Sequence, residues 1–225
     1  GRSVGSIGHV GAWSFCQDKI MTTGGEGGIV TTNSKELWST MWSYKDHGKS
    51  FDAIYNREHP PGFRWLHESF GTNWRMTEMQ AVIGRIQLTR MDDWTAKRQA
   101  YGALLDQAAK GFSCIRLVEV PDYTKHAEYK HYMFVKPQQL ADGWSRDRIV
   151  NEIVERGVPC FQGSCSEVYL EKAFDNTPWR PEKRLPNAVE LGETSLMFLV
   201  HPTLTEAEIA KTTQVMKEVF EKASK

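Results

Sequence analysis

Residues 13–33 read WSFCQDKIMTTGGEGGIVTTN, and in them one lysine, Lys19, stands between an apolar run and a turn containing four glycines. Residues 10–16, VGAWSFC, are short, apolar and aromatic, the pattern of a buried strand. KIMTT and IVTT flank GGEGG, so they read as a hairpin whose glycines supply the positive φ of a tight turn. Lys19 admits two readings. A lysine beside a turn is ordinarily a solvated surface charge. Partly withdrawn from water, the same amine loses stabilisation of its charged form and becomes a usable nucleophile. Glycines 24, 25, 27 and 28 would let backbone pack closely beside it, and Ser14 lies at a strand end five residues earlier. The chemistry that needs such an amine is Schiff-base formation with a carbonyl, above all that of pyridoxal phosphate, whose phosphate a hydroxyl such as Ser14 would suit.

Working outward, residues 34–47 read as a helix capped by Ser34 and ended by a left-handed Gly48. Residues 50–73 lose period and carry Pro60 and Pro61, as an ordered loop does. Thr77 and Gln80 have capping-box spacing, and Met79, Val82, Ile83 and Ile86 follow at helical spacing. The pattern continues to about Lys110, roughly 34 residues and about 50 Å if unbroken, with a bend expected near Asp92 and Asp93. Beyond it, CIRLVEV, YKHYMFVKP and TSLMFLV read as strands. SRDRIVNEIVERG, EVYLEKAF and the segment after Thr205 read as helices, which makes an α/β or α+β lobe.

The totals narrow the function classes. Lys plus Arg and Asp plus Glu both number 28, so charge gives no reason to expect nucleic acid or an anionic membrane as partner. No apolar run approaches the ~18 residues of a membrane helix. Cys16, Cys114, Cys160 and Cys165 are scattered, a poor zinc signature, and fit reduced thiols in a cytoplasmic protein. The opening GRSVGSIGHVGAWSF has no methionine and reads like the middle of a domain.

The block GSIGHVGAWSFCQDKIMTTGGEGGIVTTN resembles the signature of the DegT/DnrJ/EryC1/StrS sugar aminotransferases, in which Ser-Phe precedes the cofactor lysine and Gly-Glu-Gly-Gly follows it. YKDHG (44–48), GTNWRMTEMQAVIGRIQL (71–88), YKHYMFV and TSLMFLVHPTLTEAEI are similar to further family segments in family order, so the resemblance covers nearly the whole chain. It implies the C-terminal part of an aspartate-aminotransferase-like, fold type I α/β transferase. Residues 1–85 would be the remaining part of the large cofactor-binding domain, and 86–225 the long connecting helix plus a small α/β domain. Lys19 would hold pyridoxal 5′-phosphate through its amine, and Ser14 would hydrogen-bond the phosphate. Asn73 would reach the phosphate from the neighbouring subunit of a homodimer with a composite active site. The substrates implied are glutamate and a nucleotide-linked keto-sugar, in amino-sugar and polysaccharide biosynthesis.

Other polar residues keep plainer readings. Arg75 is read as anchoring its loop through a carboxylate, His47 as a helix-end residue, His131 and Tyr132 as packing, and Glu26 as ordering the glycine turn. Relatives commonly show an acid at the position of His9 and a His-Tyr segment within 158–174, where this chain offers Cys160, Gln162, Ser164 and Cys165. Complete relatives are longer before the position of Gly1, so the chain as given is expected to be inactive alone and to associate through an uncovered apolar face. The alternative is a non-catalytic assembly piece or a regulatory relative that keeps the fold without turnover.

Overall fold

A computed structural model describes all residues, Gly1–Lys225. The chain divides into two compact units, Gly1–Met91 and Asp92–Lys225.

The first unit carries a two-stranded antiparallel sheet, β1 (Gly11–Ser14) and β2 (Gly28–Thr31), with Gly11 opposite Thr31 and Ser14 opposite Gly28. Two expectations are corrected here. The β1 strand is largely exposed, with Trp13 40% accessible, because a two-stranded sheet leaves both edges and much of both faces uncovered. KIMTT is not a strand either, since the partner of β2 is β1. Residues 15–27 form the connection and fold back on themselves, Phe15 N–H bonding Gly27 O at 2.8 Å and Thr23 N–H bonding Phe15 O at 3.1 Å.

Helix α1 (Lys35–Lys45) starts as expected, with Ser34 Oγ accepting from Leu37 N–H at 3.2 Å. The region read as an ordered loop contains a short helix, α2 (Phe51–Tyr55), capped by Ser50. Trp42 of α1 meets Phe51 of α2 edge-on, ring centres 5.2 Å apart. Helix α3 (Glu78–Leu88) opens on a complete capping box, Thr77 and Gln80 each satisfying the other's backbone N–H.

The expected 34-residue helix is interrupted at Thr89–Arg90, before α4 (Met91–Ala109) begins. Thr89 Oγ1 donates to Ile86 O at 2.8 Å and Arg90 N–H to Gln87 O at 2.9 Å, a tightened turn that ends the α-helical ladder. Asp92 and Asp93 therefore mark a start: they lie in the first turn of α4, where the helix dipole favours acids.

The second unit builds a four-stranded sheet of order β3-β4-β6-β5, antiparallel throughout: β3 (Ile115–Leu117), β4 (His131–Val135), β5 (Cys160–Phe161) and β6 (Ser195–Phe198). Helices α5 (Arg146–Glu155), α6 (Pro186–Thr194) and α7 (Glu206–Ala223) complete it. Leu105 of α4, Ile149 and Ile153 of α5, and Met216 and Phe220 of α7 join Met133, Leu196 and Phe198 of the sheet in one fully buried core. EVYLEKAF forms two 3₁₀ turns, Val168–Leu170 and Lys172–Phe174, rather than the expected helix. Tertiary bonds explain this: Leu185 N–H donates to Tyr169 Oη at 2.9 Å and Arg184 Nε–H to Glu167 Oε1 at 2.9 Å, which ties the segment down.

Candidate active site

Lys19 and Ser14 are brought onto one turn. Ser14 ends β1 with its hydroxyl exposed, and Cys16 N–H donates to Ser14 Oγ at 3.4 Å. The Lys19 backbone N–H in turn donates to Cys16 O at 3.1 Å, so Cys16 links the Ser14 hydroxyl to the main chain of Lys19. The Lys19 side chain is 37% accessible, and its Nζ lies 3.4 Å from Asp18 Oδ1. The same oxygen accepts from Cys16 Sγ at 3.0 Å. A half-exposed ion pair of this kind contributes little stability; its effect is to hold the amine beside the turn.

The glycines act elsewhere than expected. A side chain at Gly28 would meet Trp13 O at 2.7 Å, and one at Gly24, which takes φ +80°, would meet Ile83 at 2.8 Å. They let the connection close over the strand pair and α3, not over Lys19. Glu26 orders the same turn through its carbonyl, which accepts from Thr23 Oγ1 at 3.2 Å and Gln80 Nε2 at 2.7 Å.

Asn73 belongs to a second cluster, built where two chain segments zip together at the end of α1. His47 N–H bonds Thr72 O at 2.9 Å, Trp74 N–H bonds Lys45 O at 2.9 Å, and Asp46 forms a bridge with Asn73. The approach requires glycine: a Cβ on Gly48, already at φ +83°, would sit 1.7 Å from Ser69 O. Asp46 is buried amid cations, with Lys45, Lys49 and Arg75 each 3.6 Å away. Burial pushes its carboxyl up, but Lys49, Arg75, Lys45 and His47 together outweigh that and hold it below its ordinary value. Arg75 thus does anchor its loop through a carboxylate. The sequence reading missed that Asp46 is that carboxylate, although YKDHG displays an acid set among bases.

A cavity of about 740 Å³ opens in this unit, walled by Trp13, Val30, Trp38, Trp42 and Trp74, with Lys45 and Arg75 at its polar side. Lys19 and Ser14 do not line it. The cavity therefore lies apart from the Lys19 turn, where Trp13, Trp38 and Trp74 leave apolar surface exposed.

In the second unit, His131 is 4% accessible and lies between Asp106 Oδ1 at 3.0 Å and Glu128 Oε2 at 3.2 Å. Burial pushes its pKa down, but the two carboxylates outweigh it and raise it to about 9. Tyr132 Oη lies 3.5 Å from Ser164 Oγ. Burial drives the Cys160 thiol up to about 12, which leaves it inert. No group of three or more His, Cys, Asp or Glu is placed to hold a metal ion, and no helix is long and apolar enough to cross a membrane.

The donor set on the Lys19 turn fits a phosphorylated aldehyde: a primary amine for the carbonyl carbon and an exposed hydroxyl for the phosphate. Comparison with known proteins points the same way. The model of the DegT/DnrJ/EryC1/StrS aminotransferase family matches residues 1–219. A Micromonospora echinospora protein named as a putative L-glutamine:3-amino-2,3-dideoxy-scyllo-inosose aminotransferase is 35% identical over 73% of this chain and 37% of its own length. The dTDP-3-amino-3,4,6-trideoxy-alpha-D-glucose transaminase of Streptomyces venezuelae is 27% identical over 99% of this chain and 53% of its own. The X-ray structure of the aminotransferase from Psychrobacter cryohalolentis shares 65% identity, with a TM-score of 0.91 over 98% of this chain and 58% of that one. The chain thus spans about half the length of most relatives it matches. The expected fold, α/β and of the fold type I aminotransferase class, is the one these neighbours share.

Proposed function

Because the chain belongs to the DegT/DnrJ/EryC1/StrS aminotransferase family, we propose that the whole protein moves an amino group from glutamate to the keto group of a nucleotide-linked sugar, using pyridoxal 5′-phosphate. The observation that carries this reading is that Lys19 and Ser14 lie on one turn, both bonded through the backbone of Cys16. When bound, pyridoxal phosphate supplies an aldehyde that accepts amino groups and a ring that withdraws electrons from the adjoining carbon. Lys19 would be the residue that holds the aldehyde carbon, through its amine. The same amine, when free, would serve as the base that carries the proton between the substrate carbon and the cofactor. Asp18, 3.4 Å from Lys19 Nζ, is the carboxylate beside which that amine would rest once protonated. Ser14 Oγ donates to the phosphate, and Asn73 contributes to the phosphate site of the neighbouring subunit, which makes the site composite. A dTDP-sugar transaminase among the relatives supports the nucleotide-linked acceptor.

The test is covalent. Borohydride treatment of the full-length protein with pyridoxal phosphate should fix the cofactor to residue 19, read by peptide mass mapping, and Lys19→Ala should abolish that adduct. An adduct of equal yield at another lysine would remove Lys19 from the mechanism. No adduct in the unsubstituted protein would favour the non-catalytic alternative.

A further inference from the structure

We propose that Arg75 and Asp46 are positioning residues that turn the Asn73 carboxamide so that its NH₂ end is offered to a phosphoryl group. This rests on the role given to Asn73 above. Arg75 Nε–H can only donate, and it lies 3.1 Å from Asn73 Oδ1. The end of the carboxamide facing Arg75 is therefore the acceptor, and the opposite end carries two N–H donors. A phosphoryl group at neutral pH presents acceptor oxygens, so it is bound by that donor end and repelled by the other. A freely rotating asparagine would offer either end; Arg75 removes the choice.

Arg75 is itself held. Its Nε lies 3.6 Å from Asp46 Oδ1, and its Nη2 lies 3.4 Å from His47 Nε2. Asp46 Oδ1 is buried without a hydrogen bond of its own, a costly state for a carboxylate unless charges compensate it. Lys49 Nζ, 3.6 Å from the same oxygen, and Arg75 are that compensation. The backbone bridge between Asp46 and Asn73 fixes the main chain, leaving side-chain rotation as the freedom that Arg75 must restrain. Three cations, Lys45, Lys49 and Arg75, surround one carboxylate here, so the neighbourhood favours an incoming anion.

The experiment compares the affinities of the full-length protein for pyridoxal 5′-phosphate and for pyridoxal, which lacks the phosphate. Asn73→Ala, Arg75→Gln and Asp46→Asn should each shrink the preference for the phosphorylated form by about tenfold or more, the worth of one hydrogen bond to a charged group. Affinity for pyridoxal should not move; a merely structural role would weaken both ligands alike. If Asn73→Ala shrinks the preference and Arg75→Gln does not, the positioning role falls while the reading of Asn73 stands. If Asn73→Ala leaves the preference intact, Asn73 is not at the phosphate and both fall. Arg75 is half-exposed, so its substitution decides the matter even where Asp46→Asn fails to fold.

Discussion

The unit Asp92–Lys225 has a fully buried core of large apolar side chains, whereas Gly1–Met91 has none. In the former, Phe198, Phe220, Met133, Ile149 and Leu196 are all fully buried. In the latter, the buried apolar residues are Ala53 and Leu66, while Ile29, Val30, Trp65 and Phe70 stand exposed. One unit is held by hydrophobic burial, roughly 25 cal/mol for each Å² removed from water. The other is held by backbone hydrogen bonds at its turns, by caps and by edge-on aromatic contacts, which contribute less. Lys19, Ser14, Asn73 and Arg75 all lie in the open unit. The groups proposed for chemistry thus sit where stability depends most on further apolar surface being covered, as the composite site proposed above would require.

Truncation should separate the two units most sharply. Phe198→Ala removes a ring from the closed core and should cost about 3–5 kcal/mol in denaturant unfolding. Ile29→Ala, at a residue 51% accessible, should cost less than about 0.5 kcal/mol in the chain Gly1–Lys225. Equal losses at the two positions would mean that Ile29 is covered in solution, and the contrast between the units would disappear.

What was legible in the sequence follows the same division. Where one local interaction decides, as at the Ser34, Thr77 and Thr205 caps, the residue pattern and the structure agree. Where the outcome depends on a distant partner, the pattern misled. KIMTT has strand composition, but its Thr22 and Thr23 bond Phe15 and Gln87 instead of a neighbouring strand. The break at Thr89–Arg90 turns on a hydroxyl bonding back to Ile86, which helical periodicity does not reveal. Lys19 and Ser14 could be singled out as candidates because motif and spacing carry them. Asp46 was not, because its role comes from cations contributed by residues as distant in sequence as Arg75.

Alkaline pH should act on the closed unit next most strongly. Both nitrogens of His131 face carboxylate oxygens, which only accept, so the bound form is the imidazolium. Its pKa is raised from 6.5 to about 9, so its contribution is fully present below about pH 6.5 and is lost as pH rises through 9. The whole effect is about 3 kcal/mol, as an order of magnitude. Unfolding midpoints of the chain Gly1–Lys225 should fall between pH 7 and pH 10, and His131→Gln should flatten that dependence. A midpoint equally pH-dependent in the variant would assign the titration to another group.

The smallest expected effect compares the two capping boxes, which share a sequence rule but not a setting. Thr205 Oγ1 accepts from Glu208 N–H at 3.3 Å and opens α7, whose Met216, Val219 and Phe220 lie in the closed core. Thr77 Oγ1 accepts from Gln80 N–H at 3.4 Å and opens α3, whose Met79, Val82 and Ile86 are exposed. Thr205→Ala should cost about 1 kcal/mol, and because α7 is bound to the core the loss should appear in global unfolding. Thr77→Ala removes a bond of the same kind from a helix with little buried face. Its loss should appear first as faster hydrogen exchange at the amides of Glu78, Met79 and Gln80, with the midpoint of the closed unit unmoved. If Thr77→Ala shifted that midpoint as much as Thr205→Ala does, the two units would unfold as one. The open unit's stability would then be tied to the closed one's core.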